Sequence, residues 1–132
     1  MKAVSQKGML THYTDIEAYT TRDGSTIREL MHPPLHGNAH QSLAEATVPC
    51  GSATLLHHHR LTEEIYHITA GEGRMRLGDA QFTVGVGDTV LIPPGTPHAI
   101  ENCGEGELKL LCCCAPPYSH DDTELLSIVP LR

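Results

Sequence analysis

The chain has 132 residues, enough for one domain around one core and too few for two of ordinary size. At 39% hydrophobic and 19% charged it is globular rather than disordered, and with no Trp and one Phe its core must be aliphatic. Three Lys and six Arg within a net charge of −7 argue against nucleic acid and anionic membranes as partners, since both are gripped through basic side chains. No apolar run approaches the length of a membrane span. The start, MKAVSQKGML, lacks a continuous apolar stretch, so no secretory signal is expected. Cys50, Cys103, Cys112, Cys113 and Cys114 are odd in number and three are consecutive. That pattern predicts free thiols in a reducing cytoplasm rather than a disulfide framework.

Residues 1–25 have room for an extra strand or turn. Beyond them, strand-length segments follow one another: Thr26–Met31, Gln41–Val48, Ser52–His59, Glu63–Thr69, Arg74–Leu77, Gln81–Val84, Thr89–Ile92, His98–Asn102 and Glu107–Cys114. Turn residues part them, among them Asp23-Gly24, Gly71-Glu72-Gly73, Gly87-Asp88 and Pro93-Pro94-Gly95. Short strands at this spacing predict an all-β sandwich or barrel of antiparallel strands. His32, His36 and His40 have helical spacing, but Pro33, Pro34 and Gly37 argue for a loop near a barrel mouth. Ser119–Leu126 reads as a short helical turn, with Ser119 as its cap and Asp121 and Asp122 at its start. The organisation expected is N-terminal strands and a loop over 1–40, a barrel over 41–118, and a short helical turn and tail over 119–132.

The candidate site rests on strand parity. His57 and His59 are two apart on one segment and point to one face, while His58 points to the other. Glu64 lies on the following segment, and His98 follows the stiff turn Pro93-Pro94-Gly95-Thr96-Pro97. In a closed barrel these four converge, because inward side chains of neighbouring strands meet. Three His and one carboxylate suit a divalent Mn, Fe, Co, Ni, Cu or Zn ion better than Ca or Mg, which prefer oxygen shells. Four ligands on an octahedral ion leave two positions for substrate or O₂. Tyr66, two beyond Glu64, shares the inward face as a proton donor or acceptor, a group supporting the metal ligands, or simple core packing. Alternation splits Cys113 from Cys112 and Cys114, so apolar packing is expected of these thiols, with Cys112 or Cys114 still free to line a pocket. His58 and His67 are expected to face outward. Arg74 and Arg76 face outward as well if Met75 and Leu77 face in.

Gly51-(x)5-His57-x-His59-(x)4-Glu64-(x)6-Gly71 and Gly87-(x)5-Pro93-x-Gly95-(x)2-His98-(x)3-Asn102 resemble the two motifs of the cupin superfamily at all ten fixed positions. Within it the chain looks like the small single-domain, mannose-6-phosphate-isomerase-like cupins. The resemblance implies a double-stranded β-helix, or jelly roll, one divalent metal ion, and commonly a homodimer. Glu64, not Glu63, satisfies the spacing to Gly71, and adjacent strand residues cannot both face the metal.

Cupins host many functions, so the fold does not choose one. Three remain open. The first is an isomerase, epimerase, lyase or decarboxylase in which the metal acts as a Lewis acid on a sugar-like, carboxylate or carbonyl substrate. The second is an O₂-dependent oxygenase, and the third a module that binds or senses a small molecule without turnover. Glu64 argues against the thiol dioxygenases that the family resemblance would otherwise allow, and the lack of inward cations argues against a phosphorylated sugar. Open positions beside Tyr66 favour the enzyme.

Overall fold

Period-two alternation in the sequence becomes two antiparallel sheets in the computed structural model, which describes residues 8–127. In chain order the strands are β1 (Tyr19–Thr20), β2 (Thr26–Met31), β3 (Ser42–Val48), β4 (His57–His59), β5 (Glu63–Ala70), β6 (Glu72–Leu77), β7 (Ala80–Gly85), β8 (Thr89–Ile92), β9 (His98–Asn102), β10 (Leu108–Ala115) and β11 (Thr123–Leu125). One sheet runs β1-β2-β3-β10-β5-β8 and the other β11-β4-β9-β6-β7. The connections cross repeatedly between the sheets, as the double-stranded β-helix requires. The parts of the N- and C-terminal segments at 1–7 and 128–132 lie outside the described residues.

The core lies between the sheets. Ile68 and Met75 are 0% exposed, one from each sheet, and Val48, Ile92, Ile100, Leu108 and Leu110 join them. Each such aliphatic side chain taken from water contributes about 1.5–3 kcal/mol, so the expectation of an aliphatic core holds. On β6, Met75 is buried while Arg74 is exposed. Gly71 has a φ of +82°, and a Cβ there would come within 2.5 Å of the Glu107 carbonyl oxygen. Only glycine fits that crossing between β5 and β6.

Three local expectations are corrected. Ser52–His59 is a strand only over His57–His59. Upstream, the chain instead bonds to other elements, through Thr54 N to Ile100 O at 2.9 Å and Leu55 N to Asp23 O at 2.7 Å, with one isolated bridge between Ala53 and Glu101. The His32 loop contains a single helical turn, α1 (Pro33–His36), closed by Gly37 at φ +81°. Both prolines occupy first-turn positions, where an N–H has no helical partner to lose. Finally, Ser119 does cap a turn, accepting from Asp121 N at 3.2 Å, but that turn is 3₁₀ over His120–Asp122 and gives way to β11. Pairing with β4 prevails over the helical signal there.

Candidate metal centre

Strand register brings the two distant histidine motifs together. His57 and His98 are Cα partners across β4 and β9. β4 buries its first and third residues and leaves His58 half-buried, where Nε2 meets Glu124 Oε1 at 3.0 Å. His57 and His59 are each 3% exposed and His98 is 0% exposed. Their coordinating nitrogens lie within 4.8 Å of one another, so the three histidines form a group that can hold a metal ion. On the facing sheet Glu63 is exposed and Glu64 is buried. Glu64 Oε1 stands 3.2 Å from His59 Nε2 and 3.4 Å from His98 Nε2.

The hydrogen bonds behind the rings decide which nitrogen faces the centre. His57 Nδ1 donates to Leu55 O at 2.8 Å and His98 Nδ1 to Thr96 O at 2.9 Å, since a carbonyl only accepts. His59 Nδ1 meets Thr123 Oγ1 at 2.9 Å, and that hydroxyl already donates to Ser119 O at 2.8 Å. All three rings therefore carry their proton on Nδ1 and turn an Nε2 lone pair inward, the tautomer that metal-binding histidines adopt. His98 Nε2 and Glu64 Oε1 are buried without a hydrogen-bond partner. Lone pairs and a carboxylate oxygen this close repel unless positive charge lies among them, either protons or a metal ion. The donor set thus fits a divalent transition ion.

Burial, reinforced by neighbouring His98, pushes His57 down to about 4. Burial alone would raise the Glu64 carboxyl, but His59 and His98, when they carry a proton on Nε2, outweigh it and hold the group well below the usual carboxylate range. Burial pushes the Tyr66 phenol well up, with Glu64 adding to it. Tyr66 is 4% exposed and its ring stands edge-on to His98, centroids 5.9 Å apart.

The centre opens into a cavity between the sheets. β3 turns Ser42, Ala44 and Ala46 toward it, and these short side chains leave the space. About 40 Å³ is open to the centres of water-sized molecules, which is room for roughly three waters. Cys112 and Cys114 line it, and the Cys114 thiol donates to Glu64 Oε2 at 3.3 Å. The thiols are therefore more than packing, while Cys113 faces the other side of β10. His36 and His40 do not line the cavity, and His32 lies at a separate depression beside Tyr118. Parity reasoning missed three residues that touch the site: Thr123, Tyr118 and Asp23. Tyr118 stands edge-on to His59, with centroids 5.8 Å apart. Asp23 Oδ2 is 3.5 Å from His57 Nε2. Its only signal in the sequence is the Asp-Gly turn, which says nothing about where the side chain arrives.

A two-sheet β-barrel with histidines converging from neighbouring strands defines a class of small barrels with a centre that could hold a metal ion. The chain belongs to the cupin domain family, whose pattern matches residues 44–114. It is 55% identical over 123 residues to an uncharacterized protein of Methanocaldococcus jannaschii, covering 93% of this chain and 98% of that one. It is 33% identical over 84 residues to an oxalate-binding protein of Thermotoga maritima, covering 64% and 65% of the two chains. Among solved structures, the oxalate decarboxylase of Lactobacillus farciminis superposes with a TM-score of 0.75 at 20% identity, over 87% of this chain and 35% of that one. The chain thus spans about a third of that enzyme, and the likeness is one of fold. No helix among the described residues is long and apolar enough to cross a membrane.

Proposed function

We propose that the chain is a metal-dependent enzyme that moves a proton on a small carbonyl- or hydroxyl-bearing substrate, in an isomerase, epimerase or lyase reaction. The observation that carries this reading is the set of three inward Nε2 lone pairs beside an unpartnered Glu64 Oε1, at one end of a cavity that also holds a phenol. His57, His59, Glu64 and His98 would hold one Mn, Fe, Co, Ni, Cu or Zn ion. Once bound, such an ion polarises a substrate oxygen as a Lewis acid. Tyr66 remains protonated at neutral pH because burial raises its phenol. It therefore gives a hydrogen bond or a proton and does not act as the resting base. The space suits a substrate of a few heavy atoms.

Five free cysteines support a reducing, cytoplasmic setting. A homodimer is supported by one cross-strand row on the outer face of the six-stranded sheet: Leu43, Cys113, Ile65 and Leu91. Leu43, Ile65 and Leu91 are 36%, 38% and 53% exposed.

The test is a screen of metal-loaded protein against small hydroxy acids, keto acids and sugar acids, with O₂ uptake followed in parallel. Turnover without O₂, falling about 10²-fold or more in Tyr66→Phe at unchanged metal content, is the expected result. Substrate-dependent O₂ uptake would instead select the oxygenase. Tight binding without turnover would select the binding module, the reading that similarity to the oxalate-binding protein of Thermotoga maritima supports.

A further inference from the structure

A second acid reaches the histidine centre from outside both motifs. β1 and β2 pair as a hairpin, Tyr19 with Ile27 and Thr20 with Thr26. The turn between them carries Asp23, followed by Gly24 at φ +94°. Asp23 is anchored on one side only. Its Oδ1 accepts from Thr21 Oγ1 at 2.6 Å, Ser25 N at 2.9 Å and Ser25 Oγ at 2.7 Å. Its backbone oxygen accepts from Leu55 N at 2.7 Å, which ties the turn to the segment entering β4. These bonds aim the remaining oxygen, Oδ2, at the centre, 3.5 Å from His57 Nε2.

Glu29 lines the same cavity from β2 and is 3% exposed. Its Oε2 accepts from the Tyr19 hydroxyl, while its Oε1 is buried with no hydrogen-bond partner. A buried acceptor left without a donor is costly, and a ligand bringing one removes that cost. Among the described residues no Lys or Arg lines the cavity. Its charged walls are the carboxyl groups of Asp23, Glu29 and Glu64, and outside the histidine centre the group that can offset them is His32, whose Nε2 stands 3.9 Å from Glu29 Oε2, the oxygen already bonded to Tyr19.

We propose that Asp23 and Glu29 form the substrate-selecting wall of this cavity. They accept hydrogen bonds from hydroxyl or ammonium groups of a substrate whose oxygen rests at the histidine centre, and they turn away dianions such as oxalate. This inference rests on the metal-dependent reading above and deepens it. A dianion at the centre would bring its charge against Asp23 Oδ2 in a half-enclosed site, where like charges repel far more than in water. A hydroxyl or ammonium group meets acceptors already in place.

The experiment uses Mn²⁺-loaded full-length protein, with Mn measured in every sample by elemental mass spectrometry. Oxalate, ethanolamine and glycerol are titrated against wild type, Asp23→Asn and Glu29→Gln, and binding is read from the Mn²⁺ paramagnetic resonance spectrum and from calorimetry. At equal Mn content, Asp23→Asn should tighten oxalate by about tenfold or more and weaken ethanolamine or glycerol by a similar factor. Loss of ethanolamine binding alone assigns the ammonium form of the substrate class; loss of glycerol binding as well assigns the hydroxyl form. Glu29→Gln should shift oxalate in the same direction. Oxalate affinity that is unchanged or weaker in Asp23→Asn, with Mn retained, overturns the selecting wall and leaves the metal centre standing. A wild type that takes up no metal overturns both.

Discussion

Thr123 sets the tautomer of His59. The Thr123 hydroxyl has one hydrogen and gives it to Ser119 O at 2.8 Å, so it can only accept from His59 Nδ1, 2.9 Å away. The two residues are Cα partners across β11 and β4. A strand near the end of the chain thereby fixes which nitrogen of a motif histidine faces the centre. Thr123→Val keeps the shape and removes the acceptor. Metal affinity, read by competition with a chelator, should fall about 10- to 100-fold, and Thr123→Ser should restore most of it. Equal affinities in all three proteins would mean that His59 needs no such support.

Acid should weaken the metal-free fold, and the sign follows from His57. Its folded value is pushed from 6.5 down to about 4, by burial first and His98 second. Between those values the unfolded chain binds a proton that the folded chain refuses, so stability falls as pH drops through this window. Glu64 acts in the same direction at lower pH. Its carboxyl is held below the usual range by His59 and His98 against the effect of burial, so the stability it contributes is lost as pH falls from the ordinary carboxylate value downward. The melting temperature of chelator-treated protein should therefore drop steadily from pH 7 to 4.5. A flat profile over that range would contradict the buried, neutral His57.

Much of this was readable from periodicity. Thr26–Met31, Thr89–Ile92 and His98–Asn102 match their strands end to end, because each is a strand-length run bounded by turn residues. Parity alone also separates His58 from His57 and His59, and Glu63 from Glu64. The failures at Ser52–Leu56 and Ser119–Leu126 share one physical cause, which is long-range pairing overriding a local signal. Ser52–Leu56 alternates like a strand, yet its amides bond to Ile100 and Asp23 rather than to a neighbouring ladder. Ser119, Asp121 and Asp122 resemble a helix start, but β11 finds β4. Asp23 and Thr123 reach the histidines through a hairpin and a terminal strand, and no spacing rule links positions so far apart in the chain.

The cysteines should separate by reactivity. Burial, with Glu64 adding to it, pushes the Cys112 and Cys114 thiols far above their ordinary value, whereas Cys50 and Cys103 are exposed. An alkylating reagent attacks the thiolate. Native protein treated at pH 7.5 and mapped by mass spectrometry should be modified first at Cys50 and Cys103, with Cys112 and Cys114 labelled only after unfolding. Early labelling of Cys114 would mean that the cavity opens further than its geometry shows.

The apolar row on the six-stranded sheet predicts self-association. Leu91 is 53% exposed and pairs across β5 and β8 with Ile65. Leu91→Lys should convert a dimer to a monomer in light scattering after size exclusion, with the melting transition little changed, since Leu91 is outside the core. A wild type that runs as a monomer at high concentration would remove the dimer reading.

Metal stoichiometry decides whether His57, His59, Glu64 and His98 make a metal centre. Protein as purified, and again after stripping and reconstitution with each of Mn, Fe, Co, Ni, Cu and Zn, is measured by elemental mass spectrometry beside His98→Ala and Glu64→Ala. About one transition ion per chain is expected in the wild type, most of it lost in His98→Ala, with weaker retention in Glu64→Ala. A wild type that holds none of the six ions, or a His98→Ala protein that holds them equally well, would contradict it.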